Sequence, residues 1–188
     1  MSTIFNSRWS SFMIVIILSF LLAGCTPDSI GTQGNNSSTG NSDPLSAKTL
    51  KPEESIKVTI YYSTKDAQYL IPTQKIIEKK EKWLEEAVEL LASNEPGVSP
   101  TLPFKDFVNS IQIDGEIAYV DIKKESIQKS QKGATLEQVL IQSIVFTIVK
   151  NTNVKKVAFT VDKKQRETLL GHVDILDPIE PDDSMIKK

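Results

Sequence analysis

Two residue types that can carry chemistry occur once each in this 188-residue chain: cysteine, as Cys25, and histidine, as His172. A nucleophilic thiol needs a base or cation beside it to lower its pKa, and Cys25 is flanked by Gly24, Thr26 and Pro27. A lone cysteine also closes no internal disulfide and supplies no cysteine-rich zinc pattern. His172 stands two positions before Asp174 in "GHVDIL", a spacing that on a strand places both on one face. One imidazole and one carboxylate are too few to hold a metal, so His172 and Asp174 read as a surface polar pair. Asp114, Glu116 and Asp121 crowd one short stretch, and paired carboxylates can hydrolyse glycosides. Asp114, however, is accounted for by a turn, and no serine has a nucleophile elbow or a base next to it. The glycines between Gly31 and Gly40 follow no strand, so they form no phosphate loop. Lysine pairs at 79–80, 123–124, 155–156 and 163–164 are interleaved with acids, and the formal charge of −2 gives no polycationic field for nucleic acid. The expected site inventory therefore holds no catalytic residue, no metal and no cofactor.

The surroundings of Cys25 give it a different role. Arg8 precedes an apolar run, Phe12–Ala23, of about 12 residues, well short of the roughly 20 that a spanning helix needs. A cationic start, a short apolar centre and small residues at the end make a secretory signal over residues 1–24. Leu22-Ala23-Gly24-Cys25 resembles the bacterial lipobox. That resemblance implies a diacylglycerol on Cys25, cleavage just before it, and a mature protein held on the outer face of the cytoplasmic membrane. Each buried CH₂ of an acyl chain contributes about 0.8 kcal/mol of membrane affinity.

Residues 25–54 are rich in Ser, Thr, Asn, Gly and Pro with no apolar period, which predicts a flexible tether. Its typical span is about 30 Å, and fully extended it reaches about 100 Å. A single domain follows at 55–181, and residues 182–188 read as a frayed polar tail. Ile56, Val58, Ile60 and Tyr62 alternate as in a strand. Gln68–Ile77 is expected to pair back on it, with Pro72 marking an edge. Trp83, Leu84, Ala87, Val88 and Leu91 predict an amphipathic helix with Glu81, Glu85, Glu86 and Glu89 at its wet face. Asp114-Gly115 predicts a hairpin in which Ile113 pairs with Glu116 and Ile111 with Ala118. One face then carries Ile111, Ile113, Ala118, Val120 and Ile122, the other Ser110, Gln112 and Tyr119. A second, more buried helix spans "TLEQVLIQSIVFTIVK", with Thr135 and Gln138 as a capping box. A strand at Val157–Val161 and a short one within Leu169–Leu176 complete the order. The fold class is α+β: a two-layer sandwich with a small mixed or antiparallel sheet and two helices on one face, a split βαβ arrangement.

In this order the domain resembles the GerMN family, named for a spore germination lipoprotein. The residues that carry the resemblance are "VTIYYS" with "YLIPTQKII", Leu90-Leu91, Leu102-Pro103, Ala118-Tyr119-Val120-Asp121, "VKKVAFTVD", "GHVDI" and Pro178. Two departures lie in loops. "SNEPGVSP" replaces a Gly-Pro after the first helix, and Lys163-Lys164 stands where the family often has a glycine after the "VD". Family members resemble the ring-building modules of secretion-type assemblies, and some carry two copies of a domain present here once.

The resemblance implies a non-catalytic, lipid-anchored interaction domain in a sporulation or germination envelope assembly. Its expected partners are the membrane, through Cys25, and envelope or sporulation-complex proteins. The alternative is a peptidoglycan or envelope-glycan binding module using Tyr61, Tyr62 or Tyr119 as stacking surfaces; a cell-wall hydrolase is a further alternative.

Overall fold

The computed structural model describes residues 54–188, and its elements follow from the apolar periods of that stretch. Strands β1 (Ser55–Ser63) and β2 (Leu70–Glu78) form an antiparallel ribbon in which Tyr61 faces Pro72 and Ile56 faces Ile77. Helix α1 (Trp83–Glu89) continues into a 3₁₀ turn, Leu90–Ala92, burying Leu84, Ala87, Val88 and Leu91. Strands β3 (Val108–Asp114) and β4 (Ile117–Ile122) make the hairpin. A short helix α2 (Lys124–Lys129), absent from the expected order, leads to the long helix α3 (Ala134–Asn151). Strand β5 (Lys156–Val161) then pairs parallel to β4, so β3-β4-β5 is a mixed sheet. Among the described residues no helix is long and apolar enough to cross a membrane.

The α+β class holds, but the strands divide between two sheets, one of two strands and one of three. The hairpin turn lies one residue later than expected: Asp114 pairs with Ile117 and Ile111 with Val120, so Gly115 and Glu116 form the bend. Gly115 takes φ +58, which glycine adopts without steric cost. Moving the register by two residues keeps the pleat in phase, so the expected faces survive. Ala118, Val120 and Ile122 are buried, whereas Ile113 near the tip is 52% exposed.

The ribbon depends on α3. Alternate β1 residues turn their peptide groups away from β2, and α3 meets them with side chains. Asn151 donates from Nδ2 to the Thr59 carbonyl (2.7 Å) and accepts from the Thr59 N–H (2.8 Å), while the Thr147 hydroxyl accepts from the Tyr61 N–H (3.2 Å). Thr147 and Asn151 are one turn apart and so share a helix face. Two backbone bonds between Ser63 and Ser99 continue the seal. The expected capping box does not form: Gly133 is the N-cap and no side chain caps the turn. Residues 182–188 do not project as a tail. Met185 is buried beside Leu70, and the Lys187 N–H donates to the Leu70 carbonyl (3.0 Å). The final expected strand is reduced to a bridge between Thr168 and Asp174.

Candidate functional site

Cys25 and its lipobox lie outside the described residues. His172 and Asp174 do not act as a pair. The His172 Nδ1 lies 3.1 Å from Glu137 Oε2, and Asp174 Oδ1 accepts from the Leu176 N–H (2.9 Å). The carboxylates around the hairpin also stay apart in function. Glu116, at the tip, pairs with Lys155 at 2.5 Å, while Asp121 is buried further along β4. No group of three His, Cys, Asp or Glu side chains could hold a metal among the described residues. Of the three tyrosines offered as stacking surfaces, two are in the core. Tyr61 stacks on Phe146 at 5.1 Å, and Tyr62 donates to or accepts from Ser93 Oγ (2.9 Å) beside the Leu90 carbonyl. Burial raises both phenol pKa values, the neighbouring Asp183 adding to the rise at Tyr61. Tyr119 remains exposed, and Tyr69 joins it. The alternation that marks a half-buried strand hid this burial, because α3 and the C-terminal segment cover the ribbon's second face.

Four carboxylates are engaged in holding backbone. Glu137, fully buried on α3, accepts from the Leu169 and Leu170 N–H groups through Oε1 (3.1 and 2.7 Å). Its Oε2 accepts from the His172 N–H (2.8 Å). Glu89 accepts from Phe107 (2.8 Å), Val108 (3.2 Å) and Asp106 N–H groups, and Glu85 from Ile111 (3.2 Å). Glutamates placed at a wet face by helical period thus close the outer edge of β3 instead. Asp121 accepts from the Lys163 N–H (2.7 Å), the Thr160 hydroxyl (2.7 Å) and the Asn109 amide (2.9 Å). Burial works to raise the Asp121 carboxyl, and these bonds outweigh it, holding the group below the usual carboxylate range. Asp162 and Lys163 both adopt positive φ, +49 and +61. The family glycine is thus missing from a left-handed turn that Asp121 grips directly. No period or spacing signals such cradles; a charged residue inside the most apolar helix is the trace that Glu137 leaves.

What the fold leaves open is a cleft of about 530 Å³ between the ends of β1 and α2, the start of α3 and the loop 99–104. Leu102, Leu140 and Leu170 make an apolar floor, and Leu136, 40% exposed, stands at the side. Lys65 and Lys129 are its charged lining residues. Lys129 Nζ lies 6.0 Å from the Phe104 ring centre. The Thr101 hydroxyl is shut from solvent and has no hydrogen-bond partner among the described residues.

Comparison with known proteins adds the following. The Germane family model, described as sporulation and spore germination, matches residues 59–167. No curated protein matches the chain. The tandem GerMN domains of the sporulation protein GerM from Bacillus subtilis are similar at 21% identity and a TM-score of 0.53, over 74% of this chain and 49% of that one. The first GerMN domain of the same protein gives 19% identity and a TM-score of 0.55, over 69% and 98%. This chain therefore spans about half the length of the tandem-domain structure, and at these identities the likeness concerns the fold.

Proposed function

We propose, from the premise that this chain belongs to the Germane family of sporulation and spore germination domains, that it is a non-catalytic interaction domain, lipid-anchored at Cys25 on the outer face of the cytoplasmic membrane. It works there by docking to envelope proteins of a sporulation or germination assembly. The observation that carries the non-catalytic part is the employment of the buried acids: Glu137 and Asp121 are saturated by backbone and side-chain donors. A general acid or base must instead reach a substrate proton. The lipobox residues Leu22–Cys25 support the anchoring.

Docking by strand addition has little room. The outer edge of β1 is sealed by α3, that of β3 is met by Glu85 and Glu89, and β5 meets Ile179 and Lys164. On β2 the outward position Pro72 has no N–H to give. Faces, clefts and the stretch of the β2 edge at Gln74 and Ile76 are left as the docking surfaces. The test is in-cell crosslinking during sporulation together with lipid labelling. Envelope proteins should be captured, and Cys25→Ala should abolish both labelling and processing at that position. Expression confined to vegetative cells with no envelope capture would refute the reading.

A further inference from the structure

We propose that the cleft beneath the 99–104 loop binds the carboxyl-terminal residue of a partner polypeptide, one with an aliphatic side chain. The proposal rests on the docking function above and names the chemistry that one of its surfaces would read. Small-ligand sites are hollows of about 300–1,000 Å³, mostly apolar, with a few placed polar groups, and this cleft, at about 530 Å³, fits that pattern.

Its polar groups specify the ligand. Both charged lining residues are cations, Lys65 and Lys129, with no acid in the lining. Neither forms an ion pair among the described residues. Asp66, next to Lys65 in sequence, accepts from the Thr64 hydroxyl (2.5 Å) and the Gln68 N–H (3.3 Å) and does not line the cleft. Charge complementarity therefore asks for an anion.

The lining hydroxyls leave that requirement unchanged. Ser63 and Ser130 donate to the carbonyls of Thr64 (2.8 Å) and Ser126 (2.7 Å). Thr101 Oγ1, the one buried side-chain polar atom without a partner among the described residues, is closed to solvent and so to a ligand as well. A carboxylate facing cationic lining residues and attached to an aliphatic group over Leu102, Leu140 and Leu170 matches the end of a polypeptide chain. Gln131 at the rim offers both donor and acceptor to the preceding amide.

The test uses the full chain reconstituted in lipid nanodiscs. The probe is a fluorescein-labelled hexapeptide pool, randomised at four positions and ending in Leu or Val with a free carboxylate, read by fluorescence polarisation. Saturable binding is expected, about tenfold weaker or worse for the same pool with an amidated end, and reduced by about tenfold or more in Lys65→Glu/Lys129→Glu. Equal binding of acid and amide pools, indifference to the lysine changes, or binding confined to a wall peptide ending in D-Ala-D-Ala overturns the proposal. Envelope crosslinks that persist when the pool fails to bind sink the cleft alone. Absence of crosslinks in the unmodified protein sinks the docking function itself.

Discussion

The two sheets solve the same problem in opposite ways. The three-stranded sheet has an inside and an outside. Ala118, Val120, Ile122, Val157, Phe159 and Val161 are buried on one face, and Gln112 and Tyr119 are open on the other. The two-stranded ribbon has no outside of that kind at β1. Val58, Ile60 and Tyr62 enter the main core, while Tyr61 with Leu70 enters a second cluster with Val139, Phe146 and Met185. An isolated two-strand ribbon is at best marginally stable. This one is clamped by a helix that packs apolar groups beside it and inserts Thr147 and Asn151 along its edge. A three-stranded sheet tolerates water on one side; a ribbon persists by being wrapped.

That contrast can be broken most directly at Phe146. Phe146→Ala should destabilise the fold by about 3–5 kcal/mol in chemical denaturation, whereas Tyr119→Ala on the open face should change it by less than about 0.5 kcal/mol. Comparable costs at the two positions would refute the asymmetry. Next in size is Glu137→Gln, which turns an amide NH₂ toward backbone donors that now meet a carboxylate; a loss of about 2–3 kcal/mol is expected. Hydrogen exchange should show it first at Leu169 and Leu170.

The three-stranded sheet has its own lock, and Asp121→Asn should cost about 1–2 kcal/mol at neutral pH. The folded carboxyl titrates below its unfolded value of about 4. Its contribution is therefore complete above that value and lost as pH falls through the folded one. Unfolding curves of the two proteins should converge toward acid pH; a constant gap would assign the effect to shape instead. The smallest change has the opposite sign. Lys163→Gly relieves a left-handed side chain at φ +61 but loosens the unfolded chain, so a net gain between about 0 and 1 kcal/mol is expected by thermal melting.

Much of the fold was legible because each element buries one face at one period. Alternation located β1 and β5, Pro72 foretold an edge position, and the apolar width of "LEQVLIQSIVFTIVK" foretold a deeply buried helix. Short polar helix α2 carried too few apolar residues to show a period. The capping box failed because Thr135 lies inside the first turn, with Gly133 already starting the helix. Glu85, Glu89 and Glu137 were illegible for a different reason. A carboxylate that holds backbone amides looks in sequence like one that faces water, and its partners lie 17 to 35 residues away. The cleft was equally hidden, since its lining comes from four separate stretches of chain.

The ribbon also fixes how the domain would answer to a mechanical load. The Glu54 carbonyl accepts from the Lys79 N–H just past one end of β2, and Lys187 joins Leu70 at the other. These two bonds thus bracket a nine-residue strand about 30 Å long. Tension on Glu54 along the strand axis, with the rest of the domain held, loads the nine paired positions of β1 and β2 in shear, so they do not peel one after another.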